Sequence, residues 1–210
     1  MRALDGRETE RLDEAGRLVA YFGYGSLVNR ATHRTEIVDA VPARLSGWRR
    51  HWRARPDMPG FPAALLTIRE EAGASCDGLV VVDRAENLAA VDEREARYRR
   101  VALTEGALEA ARPLPRGCPV YVYVAEADVP LHPEPPAILQ SYLDAVMQGF
   151  LAEHGEAGLR RFVAETGDFD IPILRGRLSP RYPRAVVLAD AEPGLFERAI
   201  AGIEGRFLDL

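Results

Sequence analysis

The segment Val19-Ala-Tyr-Phe-Gly-Tyr-Gly-Ser-Leu27 predicts a strand that ends abruptly in a glycine turn. Branched and aromatic residues favour a pleated, half-buried strand, whereas glycine lets the backbone turn where other residues clash. Successive amide N–H groups in such a turn can converge on an anion or an oxyanion. Alone, the same pattern also fits an ordinary glycine-rich turn after an edge strand. This segment therefore leaves both interpretations open.

Apolar patterning outward from this segment predicts an α+β fold. Short apolar runs, several with period two, predict strands at 45–52, 63–68, 78–82, 99–103 and 119–124. Apolar residues at helical spacing predict helices over 85–95, 137–154 and 159–166. Closely spaced period-two strands favour a curved sheet over a parallel doubly wound one. We therefore predict a mixed small β-barrel with flanking helices and a C-terminal helical extension.

The length and composition predict one domain. The chain has 210 residues, of which 47% are hydrophobic, and this is enough for one sizeable core. We expect a single domain over 1–210, with its core at about 17–150 and the extension at 151–210. Within the extension, the pattern predicts a strand at 186–188 and a closing helix at 194–207. A charged helix or arm is expected at 5–16.

Charge and residue usage exclude several classes of function. The net charge of −5 argues against nucleic acid as the main partner, because phosphate binding needs a basic stripe. All 27 basic residues are arginine, which excludes a Schiff-base lysine or a phosphate-loop lysine. The two cysteines form no CxxC pattern, and no apolar run has the length of a signal or membrane span. We expect a soluble, cytoplasmic protein without a membrane partner.

A second segment, Val91-Asp-Glu-Arg-Glu-Ala-Arg-Tyr98, contains a candidate general base. Glu95 is expected where the predicted helix ends, next to the negative end of the helix dipole. That position and partial burial both disfavour the charged carboxylate, which brings its pKa closer to the working pH. The alternative is a set of solvated charges on an exposed helix face.

Three other chemistries fail on spacing. A serine hydrolase with Ser26 as nucleophile and His51 as base lacks the GxSxG elbow, because the local sequence is Tyr24-Gly-Ser-Leu-Val28. A dinucleotide fingerprint fails because Val28 occupies the position of the third glycine. No metal site is predicted, since no metal-ligand spacing joins the four histidines, His33, His51, His132 and His154.

Taken together, the two segments resemble the gamma-glutamylcyclotransferase superfamily, in its ChaC and AIG2-like branches. Phe22-Gly-Tyr-Gly-Ser-Leu27 looks most like the ChaC-type, glutathione-degrading branch, and Arg44-Leu-Ser-Gly-Trp48 and Asp92-Glu-Arg-Glu95 are similar to patterns of that branch. Tyr142 and Gly149 resemble a Tyr and a Gly in the last core helix of the mammalian enzyme. The resemblance covers about 19–149. It departs from the mammalian enzyme at two positions, Leu27 and Ala96, which suggests a different substrate pocket.

The resemblance implies a cofactor-independent cyclisation. In it, the α-amine of a γ-glutamyl group attacks its own γ-carbonyl and releases 5-oxoproline and an amine or peptide, with glutathione as the first substrate to test. Since both reacting groups belong to one small molecule, the enzyme needs positioning and proton transfer rather than a nucleophile. Glu95 is the candidate for both proton transfers. The alternatives are a non-catalytic member that binds a small carboxylate and a plain interaction module, and the retained Glu95 favours an enzyme.

The predicted substrate-binding residues come from the glycine turn and from two tyrosines. Backbone N–H groups around Tyr24, Gly25, Ser26 and Leu27 are expected to hold the substrate carboxylate or the oxyanion. By the resemblance, Ser26 adds a hydroxyl and Tyr98 and Tyr142 line the pocket, although both tyrosines also suit core packing. Gly25 is expected to take a positive φ, so that Gly25→Val would disrupt the turn.

The segment Ile173-Leu-Arg-Gly-Arg-Leu-Ser-Pro-Arg-Tyr-Pro-Arg184 is dense in arginine and lies outside the resemblance. If it folds over the pocket mouth, Arg181 or Arg184 can bind a second carboxylate of a peptide substrate. The alternative, which the sequence favours, is a surface loop that ties the last helix to the body.

Overall fold

A computed structural model of the protein describes residues 17–55, 62–128, 130–203 and 206–209. The predicted helix or arm at 5–16 lies outside these residues. The strands are β1 (Leu18–Gly23), β2 (Asp39–Ala54), β3 (Ala63–Arg84), β4 (Tyr98–Ala102), β5 (Leu108–Ala110), β6 (Val120–Ala125), β7 (Ala137–Leu139), β8 (Ile173–Leu174) and β9 (Phe207–Leu208). The α-helices are α1 (Leu88–Arg94), α2 (Gln140–Glu165) and α3 (Glu192–Ala199).

The strands form one mixed sheet, which confirms the predicted α+β class. The main order is β4-β6-β1-β3-β7-β8-β9, and β2 joins β3 to β5 beside this path. Strand β1 is antiparallel to β3 and parallel to β6, whereas β7, β8 and β9 are mutually parallel. Within the described ranges, no hydrogen-bonded ladder joins β4 to β9 to close the sheet into a barrel.

Strand β3 connects the two halves of the sheet. The sequence predicts two strands at 63–68 and 78–82, but the structure has one continuous strand of 22 residues. Its C-terminal part pairs with β1, its first residues pair with β7, and β2 runs antiparallel along most of its length. The polar residues between the two predicted strands, 69–77, stay extended because β2 pairs with β3 on both sides of them. Local sequence does not reveal this long-range pairing.

Strand β2 places an arginine in the core by alternation. Its register with β3 shifts between Ser46 and Trp48, where Gly47 has φ +80°. After this bulge, the inward positions are Trp48, Arg50 and Trp52, which are 8%, 0% and 2% exposed. Because a bulge changes which residues face inward, Arg50 shares the buried face with the two tryptophans.

Helix α2 packs against the glycine turn. It spans two predicted helices, with a kink at Gly155, where φ is +64°. A Cβ at Gly149 would lie 2.6 Å from the backbone N of Asn29, so glycine permits the close contact between the helix and the loop after β1. Helix α2 thereby forms a wall beside the turn.

The C-terminal extension contributes strands as well as helices. The predicted strand at 186–188 is wrong, because these residues form no ladder. The predicted closing helix at 194–207 is shorter and earlier in the structure, since Pro193 lies at its first turn, where the fixed φ of proline suits helix initiation. Strands β8 and β9 extend the sheet. No helix in the described part of the chain is long and apolar enough to cross a bilayer.

Candidate active site

A cavity of about 450 Å³ lies between the glycine turn, the end of α1, the start of β4 and the segment after β8. Its wall contains all seven residues that the sequence nominates, which are Tyr24, Gly25, Ser26, Leu27, Glu95, Tyr98 and Tyr142. The structure therefore brings together segments that are far apart in the chain. His51, the base that a serine hydrolase would need, does not line this cavity.

The glycine turn packs closely against the neighbouring residues because Gly25 has no side chain. Residues Ser26–Val28 form a 3-10 turn in which Val28 N donates to the Gly25 carbonyl at 3.0 Å. The first N–H groups of a helical turn have no acceptor within that turn. Here the first internal bond is donated by Val28, so the N–H groups of Ser26 and Leu27 have no acceptor inside the turn. The expectation of a positive φ at Gly25 is wrong, since its φ is −123°. Glycine is favoured there because a Cβ would lie 3.0 Å from the Tyr142 hydroxyl.

Arg94 links this turn to the end of α1. Its Nη2 donates to the Ser26 hydroxyl at 3.3 Å and to the Thr32 hydroxyl at 3.2 Å, while Nη1 donates to the Thr32 carbonyl at 2.8 Å. Burial lowers its pKa, with the Glu95 carboxylate opposing that shift. Sequence reasoning missed this residue, although it lies within the Asp92–Glu95 pattern.

Glu95 occupies the predicted position, directly after the last residue of α1. Its side chain is 18% exposed, and its Oε1 lies 3.2 Å from Nε of Arg94. Burial raises the pKa of Glu95, and the positive charges of Arg94 and Arg184 partly oppose this. The next turn is held by a bond from Tyr98 N to the Glu95 carbonyl at 2.9 Å. Glu95 therefore lies in the cavity wall rather than on the exposed helix face.

Three tyrosines of the cavity are fixed by hydrogen bonds or ring packing. The Tyr24 hydroxyl donates to the Tyr123 carbonyl at 2.5 Å, and the Tyr98 hydroxyl donates to the Leu66 carbonyl at 2.9 Å. The ring of Tyr142 packs edge-on against Trp52, at a centroid distance of 5.8 Å. Burial raises the pKa of each of the three phenols, so they remain neutral hydroxyls.

Arg50 supports the turn from behind the cavity. Its Nη1 donates to the carbonyls of Tyr24 and Asp77 at 3.3 Å and 3.0 Å. The guanidinium carbon lies 4.7 Å and 4.6 Å from the ring centroids of Phe150 and Phe162, which are stacked on each other at 4.7 Å. A buried cation held by carbonyls and aromatic faces fixes the backbone of the turn. The signal in the sequence was the alternation of Arg50 with two tryptophans.

The segment after β8 folds against the cavity. Arg181, Tyr182, Pro183 and Arg184 line it, whereas Leu178 is fully exposed, so the segment is a surface loop that also forms part of the cavity wall. The contacts responsible are long-range, which is why the local sequence did not reveal them. Tyr182 N donates to the Ser141 hydroxyl at 3.3 Å, and the Tyr182 ring packs edge-on against Tyr142 at 5.0 Å.

Comparison with known proteins identifies the family. Residues 21–141 match the family described as gamma-glutamyl cyclotransferase, AIG2-like, and this range is more than half of the chain. The chain therefore belongs to that family. The match contains Glu95 and the whole glycine turn but ends before the segment at 173–184.

Solved structures share the fold at low sequence identity. A structure titled gamma-glutamyl cyclotransferase has 14% identity and a TM-score of 0.53, covering 86% of this chain and 99% of the other. A crystal structure of an uncharacterized protein from Homo sapiens has 15% identity and a TM-score of 0.52, with the same coverage. Among curated proteins, none matches this sequence. The family match supports a gamma-glutamyl cyclotransferase-like function in general. The solved structures, at this identity, show the fold alone.

Proposed function

We propose that the protein is a γ-glutamylcyclotransferase that acts on a γ-glutamyl peptide or amine, with glutathione as the first substrate to test. The observation that carries this proposal is the burial of Glu95 in the wall of a cavity that also contains the glycine turn. A carboxylate with a raised pKa in the same cavity wall as the backbone of the glycine turn suits proton transfer next to a developing oxyanion.

The reaction is an intramolecular acyl transfer. The α-amine nitrogen of the glutamyl group bonds to its γ-carbonyl carbon and closes a five-membered lactam, while the bond from that carbon to the leaving nitrogen breaks. The α-ammonium first loses one proton to become the neutral nucleophile. A second proton leaves the attacking nitrogen as the lactam forms and one reaches the leaving nitrogen, while the released amine takes up the first proton to depart as an ammonium. The atoms therefore balance without hydrolysis or a cofactor. A single carboxylate can perform both transfers, and Glu95 is assigned that role.

The other cavity residues position the substrate. The amides of Ser26 and Leu27, the Ser26 hydroxyl and the Arg94 guanidinium form a positive region for the substrate α-carboxylate or the oxyanion. Tyr98 and Tyr142 are assigned to the apolar walls that fold the glutamyl chain into a reactive ring. The proposed partner is a small-molecule γ-glutamyl substrate. The cytoplasmic location of the protein stays a prediction.

The direct test is release of 5-oxoproline from glutathione, γ-glutamyl dipeptides and γ-glutamyl amines. Glu95→Gln is expected to lower kcat by about 10³-fold, because loss of a general acid–base group typically costs 10²- to 10⁴-fold. Glu93→Gln is the matched control, since Glu93 also lines the cavity but is exposed and not ion-paired with Arg94. Normal activity of Glu95→Gln would show that the mechanism is wrong.

A non-catalytic protein that binds a small carboxylate is the second candidate, and the cavity arginines favour it independently of Glu95. If folded wild-type protein releases no 5-oxoproline from any compound but binds glutamate or 5-oxoproline in calorimetry, this second function replaces the first.

A further inference from the structure

The cavity is positively charged inside an acidic protein. Four arginines and two carboxylates line it, whereas the whole chain has a net charge of −5. One carboxylate, Glu95, is assigned to proton transfer, and one arginine, Arg94, already contacts the glycine turn. Among these arginines, Arg184 is not used by the site assigned to the substrate α-carboxylate.

Arg184 has the geometry of a second carboxylate site. Its Nε donates to the Tyr182 hydroxyl at 3.1 Å, and its guanidinium carbon lies 5.2 Å from the centre of the Tyr182 ring. Within the described residues, its two Nη groups donate to no protein acceptor. These two groups are a pair that can bind a carboxylate bidentately.

Several contacts anchor the segment that carries Arg184 to α2, among them a bond from Gly176 N to Gln140 Oε1 at 3.3 Å. Arg177 forms a bidentate ion pair with the buried Asp144, at 2.8 Å and 3.0 Å. Tyr182 is 7% exposed and is bonded through its N–H to Ser141. An arginine on an anchored segment loses less conformational entropy on binding than one on a free loop.

We propose that Arg184 binds a carboxylate on the leaving group, so that the site prefers γ-glutamyl amino acids and peptides over γ-glutamyl amines without a carboxylate. This inference rests on the proposed function. The α-carboxylate is assigned to the turn and Arg94, and the γ-carbonyl to Glu95, so the leaving group extends to the remaining cavity wall. Arg184 lies there, outside the residues that define the family match.

The test compares γ-glutamylglycine with γ-glutamylethylamide, which differ only by a carboxylate in place of a methyl group. The measured quantity is the ratio of kcat/KM for the two compounds. Arg184→Gln is expected to reduce the preference for γ-glutamylglycine by about 10- to 100-fold, the usual range for a hydrogen bond to a charged group. Any influence of Arg184 on Glu95 acts on both compounds and cancels from the ratio.

Two further variants control for charge and folding. Arg184→Lys keeps the charge without the planar fork and is expected to retain part of the preference. Arg198→Gln removes an exposed arginine of α3 that does not line the cavity, and the ratio should stay as in the wild type. Thermal unfolding shows which variants are folded. An unchanged ratio in both folded Arg184 variants would overturn the proposal.

Binding measurements separate this proposal from the proposed function. In the Glu95→Gln background, calorimetry with the same two compounds should show tighter binding of γ-glutamylglycine and loss of that difference when Arg184→Gln is added. If the wild type releases no 5-oxoproline, the proposed function fails, but this comparison still decides on the subsite. Equal binding of both compounds, or binding of neither, would overturn the subsite.

Discussion

Arg94 and Glu95 are chain neighbours whose side chains meet at the cavity, with Nε of Arg94 3.2 Å from Oε1 of Glu95. The same guanidinium contacts the Ser26 hydroxyl, so one side chain connects the candidate base to the candidate anion-binding turn. The charge of Arg94 therefore affects both the pKa of Glu95 and the positive charge next to the turn.

We expect Arg94→Gln to shift the acidic limb of the kcat/KM profile to higher pH. The positive charge of Arg94 lowers the pKa of Glu95 against the effect of burial, so its removal raises that pKa further. A base with a higher pKa is protonated over a wider range, and activity at neutral pH should fall by about 10- to 100-fold when the contact to Ser26 is also lost. Arg94→Lys should shift the limb less. Arg99→Gln, an exposed change in β4, is the control, and an unshifted limb in folded Arg94→Gln would contradict the coupling.

We expect Glu95→Gln to stabilise the folded protein at neutral and alkaline pH. A carboxyl group whose pKa is raised on folding favours the folded state below its unfolded pKa of about 4, and this contribution is lost as pH rises through the folded pKa. Glutamine carries no charge to desolvate. Its free energy of unfolding should exceed that of the wild type by on the order of 1 kcal/mol at pH 8. Urea denaturation at pH 8 and pH 4 tests this. A stability gain that is equal at both pH values would show that the ionisation of Glu95 is not its cause.

We expect Gly25→Ala to weaken substrate binding, with a further loss in Gly25→Val. A Cβ at position 25 lies 3.0 Å from the Tyr142 hydroxyl and projects towards the cavity wall. The expected rise in KM for Gly25→Ala is about tenfold, comparable to about 1.4 kcal/mol. Tyr142→Phe removes the atom that the new methyl group contacts. The double variant should therefore bind better than the sum of the single effects predicts, and strict additivity would refute the contact.

We expect Asp144→Asn to loosen the segment at 173–184. Asp144 is 4% exposed and pairs with Arg177, whereas the other partner of Arg177, Glu197, has a side chain that is 54% exposed. Breaking a buried pair typically costs about 3–5 kcal/mol, and an exposed pair costs about 0–1 kcal/mol. Trypsin should thus cleave within the segment faster in Asp144→Asn than in the control Glu197→Gln. Mass spectrometry of the fragments measures this, and equal cleavage rates would show that the buried pair is not the anchor.

The site residues that belong to a short sequence pattern could be predicted from the sequence. The strand that ends in Gly25 and the carboxylate at the end of α1 have short-range patterns, and the structure places both segments in one cavity. Arg50 had a weaker signal. It alternates with Trp48 and Trp52, but the bulge at Gly47 shifts the inward face, so this alternation does not continue from the residues before the bulge. Arg184 could be named only on the condition that its segment folds over the cavity, since its position depends on an ion pair and a hydrogen bond to α2. Local patterns report strands and turns, whereas such contacts exist only in the folded chain.

The order of the cavity residues along the chain has a consequence for its synthesis. The wall begins with Phe22 and is completed by Arg184, so 162 positions separate its first and last contributors. A chain still emerging from the ribosome can pair β1 with β3 and bury Glu95 well before the last part of the wall is translated. The cavity acquires its final shape, and with it any selectivity that Arg184 provides, only after the segment at 173–184 has left the exit tunnel.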